Sequence, residues 1–340
     1  MDYRNLGRAG LKVSEICLGT MTFGNGADQE GATAMVNAAL DAGVTFFDTA
    51  NSYVGGTSET MLGVALKDRR ADAIIASKFF NPMGGRPNDS GMSRLHIKQQ
   101  IEGSLKRLQT DYIDVYYIHH VDHQTPLEEM LRALDDLVRD GKILYTACSN
   151  FEAWRLMEAL WISDTKGWER FAAYQPQYSL VVRDIDEEIV PALQLKGLGC
   201  VAWSPLGSGY LAGKYRPGNL TVQGSRSAEG WGFQSKFFAS NHGEILQTLI
   251  DTAKQLGKPP AEVALRWVMD QPFMTSAIVG ARNVEQLEET LKAGGWRLPE
   301  DALAKLNEVS AQPRKYPRAF EDPMPARRAG ALRTPGQKTG

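Results

Sequence analysis

Four polar residues have the types and the spacing needed to deliver a proton to a carbonyl oxygen. Asp48, Lys78 and His119 each follow directly on a short apolar run, and Tyr53 lies five residues beyond Asp48. A phenol can act as a general acid, and an imidazole N–H can stabilise a developing oxyanion. With neither a nucleophile nor a metal beside them, these groups suit the reduction of a carbonyl by an external source of hydride.

The two charged residues of this group, Asp48 and Lys78, are expected to set the pKa of Tyr53. A buried Lys78 ammonium needs a counter-charge, which Asp48 supplies. A fixed positive charge favours the phenolate form of a neighbouring tyrosine, so we expect Lys78 to lower the pKa of Tyr53 from about 10 toward neutrality. Taken singly, each residue has a simpler explanation in packing or in a solvated loop, and it is their joint placement that favours catalysis.

The elements that must position these residues alternate between short strand-like runs and amphipathic helical stretches. The strand-like runs are EICLG, VTFFDT, AIIAS, YIDVYYI, KILYTA, AAYQP, GCVAW and SAIVG. Eight alternating units predict an α/β fold, a closed (β/α)8 TIM barrel, whereas an open doubly wound sheet commonly uses about six strands. Chemistry in such barrels lies at the C-terminal ends of the strands, so the four side chains should meet at one mouth.

The remaining elements complete a single domain over residues 1–312, followed by a loop or partly disordered tail at 313–340. A β-hairpin is predicted at 3–6 and 11–14, and the predicted helices cover residues 29–41, 58–67, 93–108, 126–139, 152–162, 187–195, 261–269 and 284–292. An extra helix is predicted at 243–256, with further helical structure near the C-terminus. A long Gly- and aromatic-rich loop at 216–238 is expected on the C-terminal face of the barrel.

The composition is that of a folded globular chain. Hydrophobic residues make up 43% and charged residues 23% of the 340, which provides apolar surface for a large core and argues against bulk disorder. The net charge is −2, so no basic field exists to hold nucleic acid or an anionic membrane. We expect neither of them as a partner.

The cysteines and the N-terminus indicate the compartment. Cys17, Cys148 and Cys200 are too few and too scattered for a disulfide framework, and each lies in an apolar run, which predicts reduced core residues of a cytoplasmic protein. The first ten residues, MDYRNLGRAG, lack the apolar core of a signal peptide. No apolar run approaches the ~20 residues of a membrane span.

Taken in chain order, the motifs resemble those of the aldo-keto reductase family over about residues 3–310. The segments that carry the resemblance are DTANSY (48–53), GGTSE (55–59), LG (62–63), SKF (77–79), DVYYIH (114–119) with Asp122, GKI (141–143), SNF (149–151), SPLG (204–207), GKY (213–215) and IVGAR (278–282) with Gln286 and Glu289. The resemblance implies that Tyr53 is the proton donor, that Asp48 and Lys78 tune it, and that His119 orients the carbonyl.

The resemblance also implies a nicotinamide dinucleotide, NADP(H) with NAD(H) as an alternative, extended across the barrel mouth. No GxGxxG motif follows the first strand, so a Rossmann site is not expected. The implied cofactor contacts are Gly19, Thr20, Met21, Asp48, Ser149, Asn150, Gln175, Trp203, Ser204, Pro205, Leu206, Ser208, Gly209, Lys214, Gly280, Arg282, Gln286 and Glu289.

Within that set the resemblance assigns distinct roles. Ser149, Asn150 and Gln175 would hold the carboxamide, Trp203 would stack on the nicotinamide, and Arg282 would pair with the 2′-phosphate of NADPH. The chain departs from the family pattern at four positions. Because of the departures at Thr290 and Gly280, a preference for NADP would have to come mainly from Arg282. The departures are Val54, where glycine is frequent, Val121 for proline, Thr290 for asparagine, and Gly280 for the lysine of some branches.

The substrate pocket is expected to be lined by Tyr53, Phe79, His119, His120 and Trp231, with residues 224–238 as a flexible lid or a packed surface loop. A metal site is not expected, because adjacent residues on an extended chain point to opposite faces and His119 and His120 therefore cannot easily share an ion. If the histidine motif is shifted by one residue, His120 orients the carbonyl instead.

Two other functions remain open at this stage. One is a lyase in which Lys78 forms a Schiff base. The other is a non-catalytic nucleotide-binding sensor or regulatory subunit with the same fold. For the reductase, the expected partner is a small carbonyl compound, and the chain is either a monomer or a homo-oligomer.

Overall fold

The computed structural model describes residues 1–216 and 242–321, and within them eight parallel strands close into a barrel. The barrel strands are β3 (Ile16–Gly19), β4 (Phe46–Asp48), β5 (Ile74–Phe79), β6 (Ile113–Ile118), β7 (Ile143–Ser149), β8 (Phe171–Gln175), β9 (Gly199–Ala202) and β10 (Ser276–Val279). Each strand pairs with its neighbours in chain order, and β10 pairs with β3 to complete the circle. The predicted (β/α)8 barrel is therefore confirmed.

Helices surround the barrel where the apolar periodicity predicts them. Their bounds are α1 (Gln29–Asp41), α2 (Thr57–Leu66), α3 (Arg94–Leu108), α4 (Leu127–Arg139), α5 (Ala153–Lys166), α6 (Ile189–Lys196), α7 (Gly243–Leu256), α8 (Pro260–Met269), α9 (Val284–Leu291), α10 (Glu300–Val309) and α11 (Arg318–Glu321). The helical turn α11 lies in the tail that was expected to be irregular. Residues 322–340 and the whole of the predicted lid at 224–238 lie outside the described residues.

Successive side chains of each strand face opposite sides of the barrel wall. On β5, Ala76 packs with the side chains that fill the barrel interior, whereas Ile75 and Phe79 pack outward against the helices. The interior filling consists of small and aromatic side chains: Cys17, Phe46, Ala76, Val115, Tyr117, Ala147, Ala173 and Val201. This period of two decides which polar residues near the strand ends turn toward the mouth.

An N-terminal hairpin closes the bottom of the barrel, the end at which the strands begin. Its strands are β1 (Tyr3–Asn5) and β2 (Lys12–Ser14), which pair antiparallel. Leu6 and Val13 are fully buried and pack into the same cluster as the barrel interior. The hairpin was predicted from the sequence, and its position as a plug follows from these two apolar side chains.

A buried group of charges fastens the hairpin to the barrel. Glu15 and Arg266 are both fully buried, with 3.0 Å between a carboxylate oxygen and a guanidinium nitrogen. Arg4 of the hairpin lies 3.0 Å from the same Glu15 oxygen, and Arg266 also pairs with Asp270 at 3.1 Å. Burial alone would raise the pKa of Glu15, but the bonds from Arg266 and from the backbone N–H of Gly295 outweigh it, and the pKa is lowered.

Two further observations concern the cysteines and the helices. Cys17, Cys148 and Cys200 are free and buried, as predicted. Within residues 1–216 and 242–321, no helix combines the length and the apolar character needed to cross a bilayer.

We predict that Glu15→Gln lowers the free energy of unfolding by about 3 kcal/mol at pH 7, because it leaves buried guanidinium groups without their counter-charge. Since the folded-state pKa of Glu15 is lowered, its stabilisation is complete above pH 4.5, the ordinary glutamate value, and is lost as the pH falls below it. Urea unfolding at several pH values measures both effects.

The matched control is Asp41→Asn, which breaks an exposed pair with Arg69 and should cost less than about 1 kcal/mol. Equal losses in the two variants would contradict a special role for the buried group.

Candidate active site

A buried ion pair lies at the mouth of the barrel. Asp48 ends β4, Lys78 lies on the adjacent β5, and both side chains are almost fully buried. The Lys78 ammonium donates to the Asp48 carboxylate and, at 2.9 Å, to the carbonyl oxygen of Thr49. Burial opposes the charge of Lys78, but the carboxylate more than compensates for it, so the pKa of Lys78 is raised and the amine stays protonated.

Tyr53 stands over this ion pair on a strained turn. The Lys78 ammonium lies 3.4 Å from the Tyr53 hydroxyl and 5.1 Å from the centre of its ring. The next residue, Val54, has φ 49° and ψ 43°, a left-handed conformation that is costly for a β-branched side chain. Gly55 and Gly56 continue the turn at φ 62° and 94°. The backbone of the turn that carries the Tyr53 phenol is therefore strained.

The expected lowering of the Tyr53 pKa is wrong. Burial of the hydroxyl raises its pKa, the positive charge of Lys78 lowers it, and the negative charge of Asp48 raises it again. The net pKa is above the ordinary value of 10.0. Because burial raises its pKa and Asp48 opposes the effect of Lys78, Tyr53 remains a neutral phenol that holds its proton at physiological pH.

His119 follows β6 and faces Tyr53. The two rings meet edge to face, with 5.9 Å between their centres. The backbone N–H of His119 donates to the carbonyl oxygen of Phe79, which ties the residue to the end of β5. Burial, reinforced by the charge of Lys78 and by His120, lowers the pKa of His119 to about 2. His119 is therefore a neutral imidazole with a single N–H.

His120 does not point away from His119 as expected. Their rings are parallel, with centres 4.5 Å apart, and Phe80 packs edge-on against His120 at 5.3 Å. The alternation of side chains ends with β6 at Ile118, so the strand argument does not apply to these two residues. Among the residues that the structure describes, no group of three His, Cys, Asp or Glu is arranged to hold a metal.

The three residues predicted to hold a carboxamide form one network with the ion pair and His119. Gln175, at the end of β8, donates to Asp48 at 2.8 Å, and Ser149, at the end of β7, donates to the carbonyl oxygen of Gln175 at 2.7 Å. Asn150 donates to the Ser149 hydroxyl at 2.9 Å and to the carbonyl oxygen of His119 at 3.0 Å. The structure thus brings amide and hydroxyl groups directly beside the predicted catalytic residues.

The loop after β9 contains several left-handed residues. Ser204, Gly207, Ser208 and Gly209 have φ of 55°, 56°, 56° and 96°. The backbone N–H of Ser208 donates to the Ser204 hydroxyl at 2.8 Å, and the two hydroxyl oxygens lie 3.2 Å apart. Trp203, just before them, is half-buried. The loop is therefore tightly folded and presents small polar side chains near the mouth.

Arg282 lies two residues before α9. Its backbone N–H donates to the Gln286 side chain at 3.1 Å, and Asn283 caps the helix by accepting from the backbone N–H of Gln286 at 2.9 Å. Its exposed side chain runs along Gly26, where an added Cβ would lie 3.6 Å from the Arg282 Cγ. The guanidinium is thus carried where the loops after β3 and β10 meet.

The other residues predicted to contact a cofactor follow the neighbouring strands β3, β9 and β10. Only glycine fits at Gly19, since a Cβ there would lie 2.7 Å from the Ile278 side chain. Thr20 and Pro205 are buried, Leu206 and Gly209 are half-buried, and the exposed members are Met21, Lys214, Gly280 and Glu289. These candidates occupy one sector of the barrel rim, and the ion pair and His119 occupy the sector formed by β4, β5 and β6.

Phe79, which was predicted to line the substrate pocket, faces away from the barrel mouth. Phe79 is fully buried and stacks on Tyr116 at 5.0 Å, on the helix side of β5, so it does not line the mouth. It alternates with Lys78, and one of two neighbouring strand residues must point outward. Trp231 lies outside the described residues.

Asn81 was not among the residues predicted from the sequence. Its side-chain amide nitrogen lies 3.3 Å from the Nδ1 of His119 and 3.1 Å from the hydroxyl oxygen of Ser52. The available signal was a polar amide three residues after Lys78 on the same loop.

Comparisons with known proteins extend over nearly the whole barrel. The Aldo/keto reductase family profile matches residues 15–311. The uncharacterized oxidoreductase YrpG of Bacillus subtilis is 38% identical over 325 residues, 92% of this chain and 97% of its own. A norsolorinic acid reductase of Aspergillus flavus is 30% identical over 330 residues, 92% and 81% of the two chains. A probable voltage-gated potassium channel subunit beta of Oryza sativa is 37% identical over 300 residues, 86% and 91% of the two chains.

We predict that Tyr53 does not ionise below pH 10, because burial and Asp48 outweigh the effect of Lys78 on its pKa. NMR of protein labelled at the tyrosine ring carbon that bears the hydroxyl follows each phenol, and Tyr53→Phe identifies the Tyr53 signal. A phenolate at this position near neutral pH would contradict the charge balance described here.

Proposed function

Because the chain belongs to the aldo/keto reductase family, we propose that it is an NADP(H)-dependent oxidoreductase that reduces an aldehyde or ketone to an alcohol. The observation that carries this proposal is the convergence of a neutral phenol, a buried ammonium and a neutral imidazole at one barrel mouth. Tyr53, Lys78 and His119 come from three successive βα units. We expect a carbonyl oxygen to occupy the volume between the Tyr53 hydroxyl and the His119 ring.

In this proposal Tyr53 is the general acid. Its raised pKa keeps the proton in place until the carbonyl oxygen becomes basic, and an oxygen that is becoming an alkoxide is far more basic than a phenolate. As the proton leaves, the Lys78 ammonium at 3.4 Å stabilises the phenolate that forms. Asp48 keeps the ammonium charged and in position. A general acid of this kind contributes about 10²–10⁴-fold to the rate.

His119 would supply a second hydrogen bond to the same oxygen. As a neutral imidazole it has one N–H to donate and can do so over the whole physiological pH range, since its pKa is lowered to about 2. A donor fixed in advance toward a developing oxyanion is typically worth about 10²–10³-fold in kcat. His119 therefore orients the carbonyl and stabilises its charge without transferring a proton.

The residues around the mouth fit a nicotinamide dinucleotide by their donor chemistry. A bound nicotinamide dinucleotide supplies the hydride for the carbonyl carbon. Ser149, Asn150 and Gln175 carry the amide and hydroxyl groups that a carboxamide requires, and they bond to the residues that flank the carbonyl volume. Trp203 offers an indole face for the ring. This arrangement would keep the nicotinamide beside Tyr53 and His119.

The phosphates of the dinucleotide would be held on the opposite sector of the rim. The hydroxyls of Ser204 and Ser208 and the ammonium of Lys214 would serve the pyrophosphate, in the loop that follows β9. Arg282 would serve a 2′-phosphate, because a guanidinium opposite a phosphate makes charge-assisted hydrogen bonds. NAD(H) lacks that phosphate, so the preference for NADP(H) would depend on Arg282.

Two alternatives are weaker. A Schiff base needs an unprotonated amine, whereas Lys78 is paired with Asp48 and its pKa is raised. A regulatory subunit that binds nucleotide without catalysis is favoured by relatives named as potassium channel β subunits, at 35–37% identity. The complete set of Asp48, Tyr53, Lys78 and His119 favours the enzyme. The free cysteines fit a reducing, cytoplasmic location, which we also propose.

We predict that Tyr53→Phe lowers kcat at least about 10²-fold with a panel of aldehydes and NADPH, because it removes the proton donor. The thermal shift that NADPH produces should be nearly unchanged, since ligand binding to the folded state raises its apparent stability whether or not catalysis follows. Absorbance of NADPH measures turnover.

The control is Tyr145→Phe, which removes the same hydroxyl at the opposite end of the barrel on β7 and should keep full activity. Full activity of Tyr53→Phe would exclude the mechanism. Binding of NADPH by wild-type protein without turnover of any carbonyl would favour the regulatory subunit.

We predict that Arg282→Leu weakens NADPH binding about tenfold or more, because it removes a charge-assisted hydrogen bond to the 2′-phosphate. NADH binding should change little. Lys292→Leu removes the same charge at the far end of α9 and is the matched control. Calorimetric titration with both dinucleotides measures the change. An equal loss for NADPH and NADH would contradict recognition of the 2′-phosphate.

A further inference from the structure

The loop after β5 leaves the strand through a strained residue. Phe80 has φ 148°, a conformation that is rare for any residue other than glycine. Its carbonyl oxygen accepts from the backbone N–H of Gly91 at 2.8 Å, and its ring packs against His120. The turn is therefore held from both sides, and it carries the next residue, Asn81, beside the mouth of the barrel.

Asn81 uses its side-chain amide nitrogen to join two parts of the site. The nitrogen lies 3.3 Å from the Nδ1 of His119 and 3.1 Å from the hydroxyl oxygen of Ser52. Ser52 directly precedes Tyr53 on its turn. One amide group thus spans the loop that carries the phenol and the residue that carries the imidazole.

We propose that Asn81 is a positioning residue that fixes the tautomer of His119. Its amide N–H donates to the Nδ1 of His119, so the single proton of the imidazole lies on Nε2, where it can be donated to a carbonyl oxygen. This inference rests on the proposed reduction of a carbonyl compound.

The choice of tautomer matters because a neutral imidazole has one donor and one acceptor. With the proton on Nε2, the ring donates to the oxygen that accepts the proton of Tyr53. With the proton on Nδ1, the ring would present a lone pair to that oxygen and repel its developing charge. The side-chain amide nitrogen of Asn81 carries two hydrogens. One is donated to the Ser52 hydroxyl, and the other points to the Nδ1 of His119, which must then act as the acceptor.

The charges around His119 are consistent with a neutral ring. Lys78 on β5 and His120 on the same chain segment both oppose its protonation, and Asp48 is engaged by Lys78 and Gln175. The described contacts place no carboxylate against Nδ1 of the wild-type protein. The tautomer is thus set by a neutral amide.

The decisive variant is Asn81→Asp, which keeps the shape of the side chain and replaces its N–H groups with acceptors. A carboxylate beside Nδ1 should draw the proton to that nitrogen and lower kcat about 10²-fold, the typical loss of one oxyanion donor. The KM for the dinucleotide should change little. Asn88→Asp makes the same change on an exposed residue of the same loop and should leave kcat within about twofold.

The direct readout is ¹⁵N NMR of histidine-labelled protein, in which the two ring nitrogens report which one carries the proton. The protein has five histidines, and His119→Gln identifies the signals of His119. We expect a proton on Nε2 in the wild type and on Nδ1 alone in Asn81→Asp at a pH above the pKa of its imidazole, where kcat is low. The kcat of Asn81→Asp should also vary with pH as the imidazole titrates, whereas wild-type kcat should show no such step.

A wild-type proton on Nδ1 would overturn the inference, and so would an unchanged tautomer and kcat in Asn81→Asp. If Asn81→Asp does not fold, the wild-type spectrum decides the tautomer, and Asn81→Leu, which removes the donor without adding charge, replaces it in the kinetic test. The spectrum needs no turnover. It therefore separates a failure of this inference from a failure of the proposed reaction, which Tyr53→Phe tests.

Discussion

The ion pair between Lys78 and Asp48 is the interaction on which the rest of the site depends. A lone ammonium inside a barrel would lose its proton or unfold its surroundings, and the carboxylate at the end of the adjacent strand prevents both. Burial keeps the phenol above the pair neutral, and the negative charge of Asp48 offsets part of the effect of Lys78 on its pKa. If Tyr53 gave up its proton, the ammonium at 3.4 Å would stabilise the negative charge left on its oxygen.

The loops around this pair depart from relaxed backbone geometry. Val54, Phe80, Asn150 and Ser204 all have positive φ, and each follows the C-terminal end of a different barrel strand. Non-glycine residues hold such conformations only where the surrounding structure imposes them. A closed ring of parallel strands is a rigid frame of this kind, so four loops can be bent toward one volume without loosening the fold.

The sequence predicted the barrel and its helices better than the details of the candidate active site. Alternating apolar runs were sufficient for the barrel, its helices and the approach of Lys78 to Asp48, because strand ends at one edge must meet. The pKa of Tyr53 was mispredicted because it is a difference between burial and two opposing charges, none of which a motif measures. His120 lies beyond β6 and Asn81 lies beyond β5, where the local turn and not a period of two sets the direction of each side chain.

The hairpin that carries Leu6 and Val13 covers one end of the barrel, and packed side chains fill the interior above it. A ligand of this barrel therefore approaches the site from the other end, past the loops that follow the strands. If two ligands bind there one above the other, the lower one has to bind first and leave last. The order of binding would then follow from the closed end of the barrel, whatever the affinity of the two ligands for each other.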